Sequence, residues 1–234
     1  MTLVIGHQGA PAVAAGNTLA SFHAARALGA DGVELDVRRA AGGHLAVTHD
    51  AHLPDGRALV DLRAGELPDC MPDLAAALDA CAGLLFVNVE IKNWPGDSDF
   101  DAELTIVDRV VEVLAARPAA ERERIVVSCF HRETIDRVRA LDPELATGWL
   151  MLGFSTVEEI VAEAVEHGHR ALHPHHSAVD ADVVKHAHAA GLAVNTWTCD
   201  VPERIVWLAD LGVDAVITNV PDVALEALGR TPAS

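Results

Sequence analysis

The chain has 234 residues, half of them apolar, and a formal net charge of −18. That length and composition suit one α/β domain with a substantial core. The acidic balance excludes nucleic acid and anionic membrane surfaces as partners, because both require a basic face.

The elements alternate from end to end. An apolar run over 3–7 ends at His7, and an Ala/Leu-rich amphipathic stretch over 18–29 follows, opened by Asn17-Thr18 as a helix start. The next strand runs over 32–37, and a short run over 45–49 ends at His49. The connector between them is too short for a crossover helix, so 38–49 reads as a hairpin-like excursion turned by Gly42-Gly43. A long connection over 50–72, rich in Asp, Pro and Gly, has the length of a lid or substrate-shaping loop.

Beyond it, strands are expected over 85–92, 125–130, 146–151, 170–174, 192–198 and 214–218. Helices are expected over 73–82, 101–117, 132–141, 156–168, 179–190 and 202–212. Helix starts are marked at Thr156, Asp180 and Pro202, and helix ends at Gly29, Gly168, Gly191 and Gly212. This alternation implies parallel strands with crossover helices, in a closed barrel or a doubly wound sheet. With 38–49 set aside, eight strands remain, the number a barrel needs.

Four scattered cysteines, with no Cys-x-x-Cys pair, favour reduced thiols and a cytoplasmic protein. The first residues lack the basic and long apolar segments of a signal peptide, and no run reaches membrane-spanning length.

The chemistry collects at strand ends. In Gly-Val-Glu34-Leu-Asp36-Val the two acids fall two residues apart and share one strand face. Paired acids facing inward are costly without a cation, so with His49 arriving from the next run they suggest a hard divalent ion beside an acid/base group. In Val87-Asn88-Val89-Glu90-Ile91-Lys92 the polar residues again alternate with apolar ones. Only two of the 17 basic residues are lysines, which sets Lys92 apart from ordinary surface filler. In a parallel barrel the C-terminal strand ends form the active site, and His7, Glu34, Asp36, His49, Glu90 and Lys92 all fall there. Each has a bland reading as a structural ion pair or a core histidine, but these residues would all have to be structural at once. His173, His175 and His176 read as pocket-rim or surface residues, or as holders of a second metal. The His167/His169 and His186/His188 pairs read as solvated.

The runs Ile-Gly-His7-Gln8-Gly9-Ala-Pro, Asn17-Thr18-Leu-Ala-Ser-Phe, Val-Glu34-Leu-Asp36-Val, Thr-His49-Asp50 and Val-Glu90-Ile-Lys92 closely resemble the glycerophosphodiester phosphodiesterase family. The likeness continues through Val-Ser128-Cys-Phe130, Asn195-Thr-Trp197-Thr198 and Thr218-Asn219-Val-Pro221-Asp222, in the family's order along nearly the whole chain.

The resemblance implies a distorted, single parallel (β/α)8 TIM-type barrel domain over 1–234. It implies Glu34, Asp36 and Glu90 as ligands of one divalent cation, Mg2+ or Ca2+, with His7 and His49 as the acid/base pair and Lys92 facing the phosphoryl oxygens. Trp197 is expected either as an apolar wall for the substrate or as barrel packing. The substrate implied is a small soluble glycerophosphodiester from lipid metabolism, without stable membrane association.

Two positions depart from the family pattern, which has Arg after the first histidine and Glu before Asn-Thr; this chain has Gln8 and Gly16. Gln8 would then bind phosphate only as a neutral donor, at a loss of about 1–3 kcal/mol of charge-assisted bonding. The two losses also suggest that such an Arg and Glu pair with each other. The departures support an alternative, a catalytically weak phosphoester-binding barrel or a phosphodiesterase of altered substrate. An amidohydrolase-type dinuclear site is disfavoured because His7 is followed by Gln8-Gly9 rather than by a second histidine.

Overall fold

The computed structural model describes residues 1–230, so the last four residues of the domain expected over 1–234 lie outside the described residues. Its strands are β1 (Leu3–Gly6), β2 (Gly32–Arg39), β3 (Leu45–Val47), β4 (Phe86–Ile91), β5 (Ile125–Cys129), β6 (Ala146–Met151), β7 (Ala171–Pro174), β8 (Ala193–Thr196) and β9 (Ala215–Thr218). Eight of them are parallel neighbours in the order β1-β2-β4-β5-β6-β7-β8-β9, and β9 pairs back onto β1, closing a barrel.

β3 is the exception. It pairs antiparallel with the end of β2, Val37 opposite Val47, while Val37 also pairs with Ile91 of β4. The excursion expected over 38–49 is thus a hairpin on the edge of β2 away from β4. Its pairing carries β2 to Arg39, past the expected end at 37.

The described helices are α1 (Leu19–Ala27), α2 (Leu74–Ala80), α3 (Thr105–Ala115), α4 (Ala119–Arg122), α5 (Arg132–Leu141), α6 (Val157–Glu166), α7 (Ala181–Ala189), α8 (Pro202–Leu211) and α9 (Pro221–Ala227). The marked starts act as caps: Thr18 accepts from Ser21 N, Thr156 from Glu159 N and Asp180 from Val183 N, and Pro202 opens α8. α3 begins four residues later than its apolar pattern, because Asp101 is engaged as a local acceptor for Thr105 Oγ1 and Ile106 N. The short α4 and α9 were not expected. α9 follows the last strand directly and starts at Pro221, whose fixed φ suits the first helical turn.

The apolar residues divide into two shells. Alternate strand residues such as Val33, Leu35, Val87 and Val89 pack outward against the helices. Inside the barrel Ile5, Ala215 and Ile217 meet Leu3, Phe86 and Trp197. The 50–72 connection is more ordered than its composition suggests: Leu53, Leu59 and Leu62 build a small core of their own with Leu67 and Met71. Among the described residues no helix is long and apolar enough to cross a membrane.

Two histidine expectations are corrected. His169 is buried rather than solvated, hydrogen-bonded to Thr147 Oγ1 at 2.9 Å, with its ring stacked on His167. Gly168, in the left-handed region at φ 72°, ends α6 and turns the two rings together. Burial pushes the His169 imidazole down to about 4. His173 is fully buried rather than at the rim; it lies inside the barrel against Gly148, with its Nε2 3.0 Å from Asn195 Nδ2.

Candidate active site

At the C-terminal end of the barrel, β2 and β4 bring three carboxylates together. Their register sets Asp36 beside Glu90, and period-two alternation points Glu34, Asp36 and Glu90 inward. One oxygen from each of the three lies within 4.8 Å of the others. Lys92 continues the same face of β4, with Nζ 2.8 Å from Glu90 Oε1 and 3.7 Å from Asp36 Oδ1.

The electrostatics suit a cation. Burial, then the charges of Asp36 and Glu90, hold the Glu34 carboxyl well above the usual carboxylate range. Burial also raises Glu90, against the pull of Lys92. Burial alone would lower the Lys92 ammonium, but Glu90, Asp36 and Glu34 outweigh it and hold it well above its usual range. Three acids face one ammonium, and Glu34 Oε1 is buried without a partner. An unpaired buried carboxylate oxygen is costly, and a hard divalent ion held by oxygen ligands would remove that cost. The donor set therefore fits such an ion.

The two expected acid/base histidines reach the same end of the barrel by different routes. His7 follows β1, its backbone N–H donating to Thr218 O of β9, and its Nε2 stands 3.9 Å from Glu34 Oε2. Its Nδ1 meets Asn219 Oδ1 at 2.8 Å. The loop carrying it is pinned to α1 through Ser21, whose Oγ donates to Gln8 O and accepts from Ala10 N. Gly9 permits this approach, since at φ 90° a Cβ there would lie 2.5 Å from Ser21 Oγ.

His49 follows β3. Thr48 N donates to Asp36 O, which ties the hairpin to the carboxylate cluster, and Arg38 Nε donates to His49 O. Arg38 is buried and held by both oxygens of Asp99 and by Asp97. The His49 imidazole bonds Asp50 Oδ1 at 2.8 Å, which holds the Asp50 carboxyl below its usual range.

A cavity of about 280 Å³ opens beside this cluster, its lining including His49, Glu90, Lys92, Trp94, Phe130 and Leu152. Trp197 packs edge-on against Phe130 and His175 and donates from its indole N–H to His173 O. It packs with the interior layer of the barrel and reaches the cavity lining only through Phe130.

Gln8, expected as a neutral donor to phosphate, makes contacts with the carboxylate cluster. Its amide Nε2 donates to Asp36 Oδ2 at 2.9 Å, beside a second donor to the same oxygen, Asn17 Nδ2 at 2.8 Å. Its backbone N–H donates to Glu34 Oε2.

Sequence reasoning missed Arg38, Asp200 and the role of Asn219. Asp200 accepts from Asn219 Nδ2, Asn219 N and Thr218 Oγ1. Arg38 left one usable signal, continuing the i, i+2 polar set of Glu34 and Asp36 along β2. Asp200 left none, lying in a polar loop.

A sequence model of the Glycerophosphoryl diester phosphodiesterase family matches residues 7–223. The chain is 27% identical to a glycerophosphodiester phosphodiesterase of Caldanaerobacter subterraneus subsp. tengcongensis, over 98% of each chain. Among solved structures it superposes with a TM-score of 0.87 on an Oleispira antarctica phosphodiesterase described in complex with the product sn-glycerol-3-phosphate, at 26% identity, covering 98% of this chain and 97% of that one. A glycerophosphodiester phosphodiesterase of Thermotoga maritima shares the fold with a TM-score of 0.82 at 24% identity, covering 98% of this chain and 99% of that one.

Proposed function

The chain belongs to the glycerophosphoryl diester phosphodiesterase family, and from that premise we propose that it hydrolyses small glycerophosphodiesters to glycerol phosphate and an alcohol. The observation that carries this reading is the cluster of Glu34, Asp36 and Glu90 with a buried, partnerless oxygen, flanked by Lys92 and His7 and sharing a cavity wall with His49.

Glu34, Asp36 and Glu90 would hold one Mg2+ or Ca2+. When bound, such an ion supplies positive charge to the phosphoryl oxygens as negative charge grows on them. Lys92 adds a fixed ammonium to the same face, and its raised pKa keeps it charged at neutral pH.

The two imidazoles divide the proton transfers. One takes the proton of the glycerol hydroxyl next to the phosphate, whose oxygen attacks phosphorus; the other gives a proton to the departing alcohol oxygen as its P–O bond breaks. The product of this step is a cyclic phosphate. The histidines then exchange roles, one deprotonating water as it attacks phosphorus and the other protonating the ring oxygen released. The aromatic wall of Trp94, Phe130 and Trp197 would receive the alcohol portion of the substrate.

The acidic surface suits a small, soluble substrate from lipid metabolism rather than an intact bilayer, and a cytoplasmic setting accords with the free cysteines.

The test is release of alcohol from glycerophosphocholine and glycerophosphoethanolamine, with and without chelator. Turnover abolished by chelator, and cut by about 10²–10⁴-fold in His7→Ala and in His49→Ala, supports the enzyme. Tight binding of glycerol phosphate with no turnover under any divalent ion would instead favour a phosphoester-binding barrel. Gln8 is the residue that keeps this second reading in play, since one of its amide hydrogens is engaged by Asp36.

A further inference from the structure

Gly16 is a glycine for reasons of space. Its backbone is not in the left-handed region, so any residue could adopt its conformation. A Cβ at position 16, however, would lie 2.5 Å from Gln8 Oε1 and 3.0 Å from Gln8 Cβ. The Gln8 side chain therefore occupies the room that a side chain at 16 would need. From there its Nε2 reaches Asp36 Oδ2.

Asp36 Oδ2 accepts two amide donors, from Gln8 at 2.9 Å and from Asn17 at 2.8 Å. Asn17 also accepts from Asp36 N at 3.1 Å, which clamps the residue at both ends. Together these contacts set the plane of the carboxylate and leave Oδ1 on the side of Lys92. Both donors are neutral, so they orient the anion without adding positive charge beside a cation. A guanidinium in the same place would repel the ion.

We propose that Gln8 is a positioning residue that orients Asp36 for cation binding, and that Gly16 is coupled to it by leaving room for the Gln8 amide. The proposal rests on the reading of Glu34, Asp36 and Glu90 as cation ligands. It changes what the departure at these two positions means: the residue after the first histidine acts on a metal ligand, and its partner position is empty because the amide fills it.

The experiment is calorimetric titration of the full chain, stripped with chelator, with Mg2+ and separately with Ca2+. Gln8→Met keeps the bulk and removes the donor; Gly16→Ala displaces the amide. Each should weaken the Kd by about ten- to a hundredfold, the usual cost of losing a hydrogen-bond partner behind a metal ligand. The double variant should be no weaker than the weaker single one, because both changes remove the same contact. Cation-free melting temperatures of Gln8→Met and the wild type should agree within a few degrees, which separates lost orientation from lost folding.

Wild-type Kd values in Gln8→Met, or losses that multiply in the double variant, would overturn the proposal while leaving the cation reading intact. A wild-type chain that binds neither ion would overturn both. Should Gly16→Ala fail to fold, Gly16→Ala in a Gln8→Gly background, which removes both the Oε1 and the Cβ that crowd position 16, decides the claim about space: folding there supports it, and failure there overturns it.

Discussion

His7 Nδ1 and Asn219 Oδ1 lie 2.8 Å apart, and Asp200 makes that contact directional. Asp200 Oδ2 accepts from Asn219 Nδ2 at 2.7 Å, and Oδ1 accepts from Asn219 N and Thr218 Oγ1. An inverted amide would set oxygen against carboxylate oxygen, so Asn219 turns its own oxygen to His7. Nδ1 must then carry the imidazole hydrogen, and the Nε2 lone pair is left facing the carboxylate cluster. Burial alone would raise the Asp200 carboxyl, but its bonds to Asn219 and Thr218 outweigh that and hold it below the usual range, so the carboxylate persists as acceptor.

This relay predicts a rescue. Asn219→Asp alone places a carboxylate against Asp200 and should lower kcat by about ten- to a hundredfold, a cost typical of losing the partner that orients an imidazole. Combining it with Asp200→Asn restores an acceptor toward His7 and a donor between the two side chains. Steady-state kinetics on the three variants check this, and a double variant as slow as the single one would count against the relay.

With Nζ 2.8 and 3.7 Å from oxygens of Glu90 and Asp36, Lys92 would compete with a divalent cation held by them. Lys92→Met should therefore tighten divalent-cation binding while lowering kcat by about a hundredfold or more, since charge aimed at a developing anion is lost. Calorimetry paired with kinetics reads the two effects separately. Weaker cation binding in the variant would show that the ammonium supports the ion instead of opposing it.

The cation-free protein should lose stability as pH rises toward neutrality. Burial, together with the charges of Asp36 and Glu90, raises the Glu34 carboxyl in the folded state, and burial raises Glu90 as well. A raised folded pKa means that the folded chain holds its proton more tightly than the unfolded one. The resulting stability is complete below the usual Glu value of about 4.3 and disappears as pH passes upward through the folded values. Asp31, paired with Arg230, is shifted downward and works the opposite way: its contribution is present above the usual Asp value and is lost as pH falls through its folded pKa. Melting curves in chelator should thus fall as pH rises through the raised folded values of Glu34 and Glu90, and turn down again as pH falls through the lowered folded value of Asp31. Glu34→Gln should flatten the neutral limb, and an unchanged slope in that variant would assign the effect to other groups.

Gly148 of β6 faces His173 of β7 inside the barrel, where a Cβ would lie 2.4 Å from His173 Nε2. Burial lowers the His173 imidazole to about 3, so the ring is neutral and cannot escape to solvent. Gly148→Ala should destabilise the fold by about 1–3 kcal/mol through overpacking, measured by denaturant unfolding. A neutral result would mean that the interior layer yields more easily than its packing implies.

Much of the candidate site was legible in the chain because strand periodicity is local. Glu34 with Asp36, and Glu90 with Lys92, must share a face wherever their strands lie, and eight strands with crossover helices have few ways to close. The short 38–49 connector likewise dictated an antiparallel excursion. These conclusions needed only backbone geometry and the order of apolar runs.

Orientation and partners were decided by the tertiary structure. Barrel closure sets Gly6 beside Thr218, which brings Asn219 to His7 across 212 positions of sequence. Arg38 became the anchor of His49 only when Asp97 and Asp99 folded over it. Gln8 could have faced either a phosphate or a carboxylate, and the space at Gly16 turned its amide to Asp36. Periodicity states which side chains share a face, but hydrogen-bond direction depends on groups far apart in the chain, and those meet only once the barrel is closed.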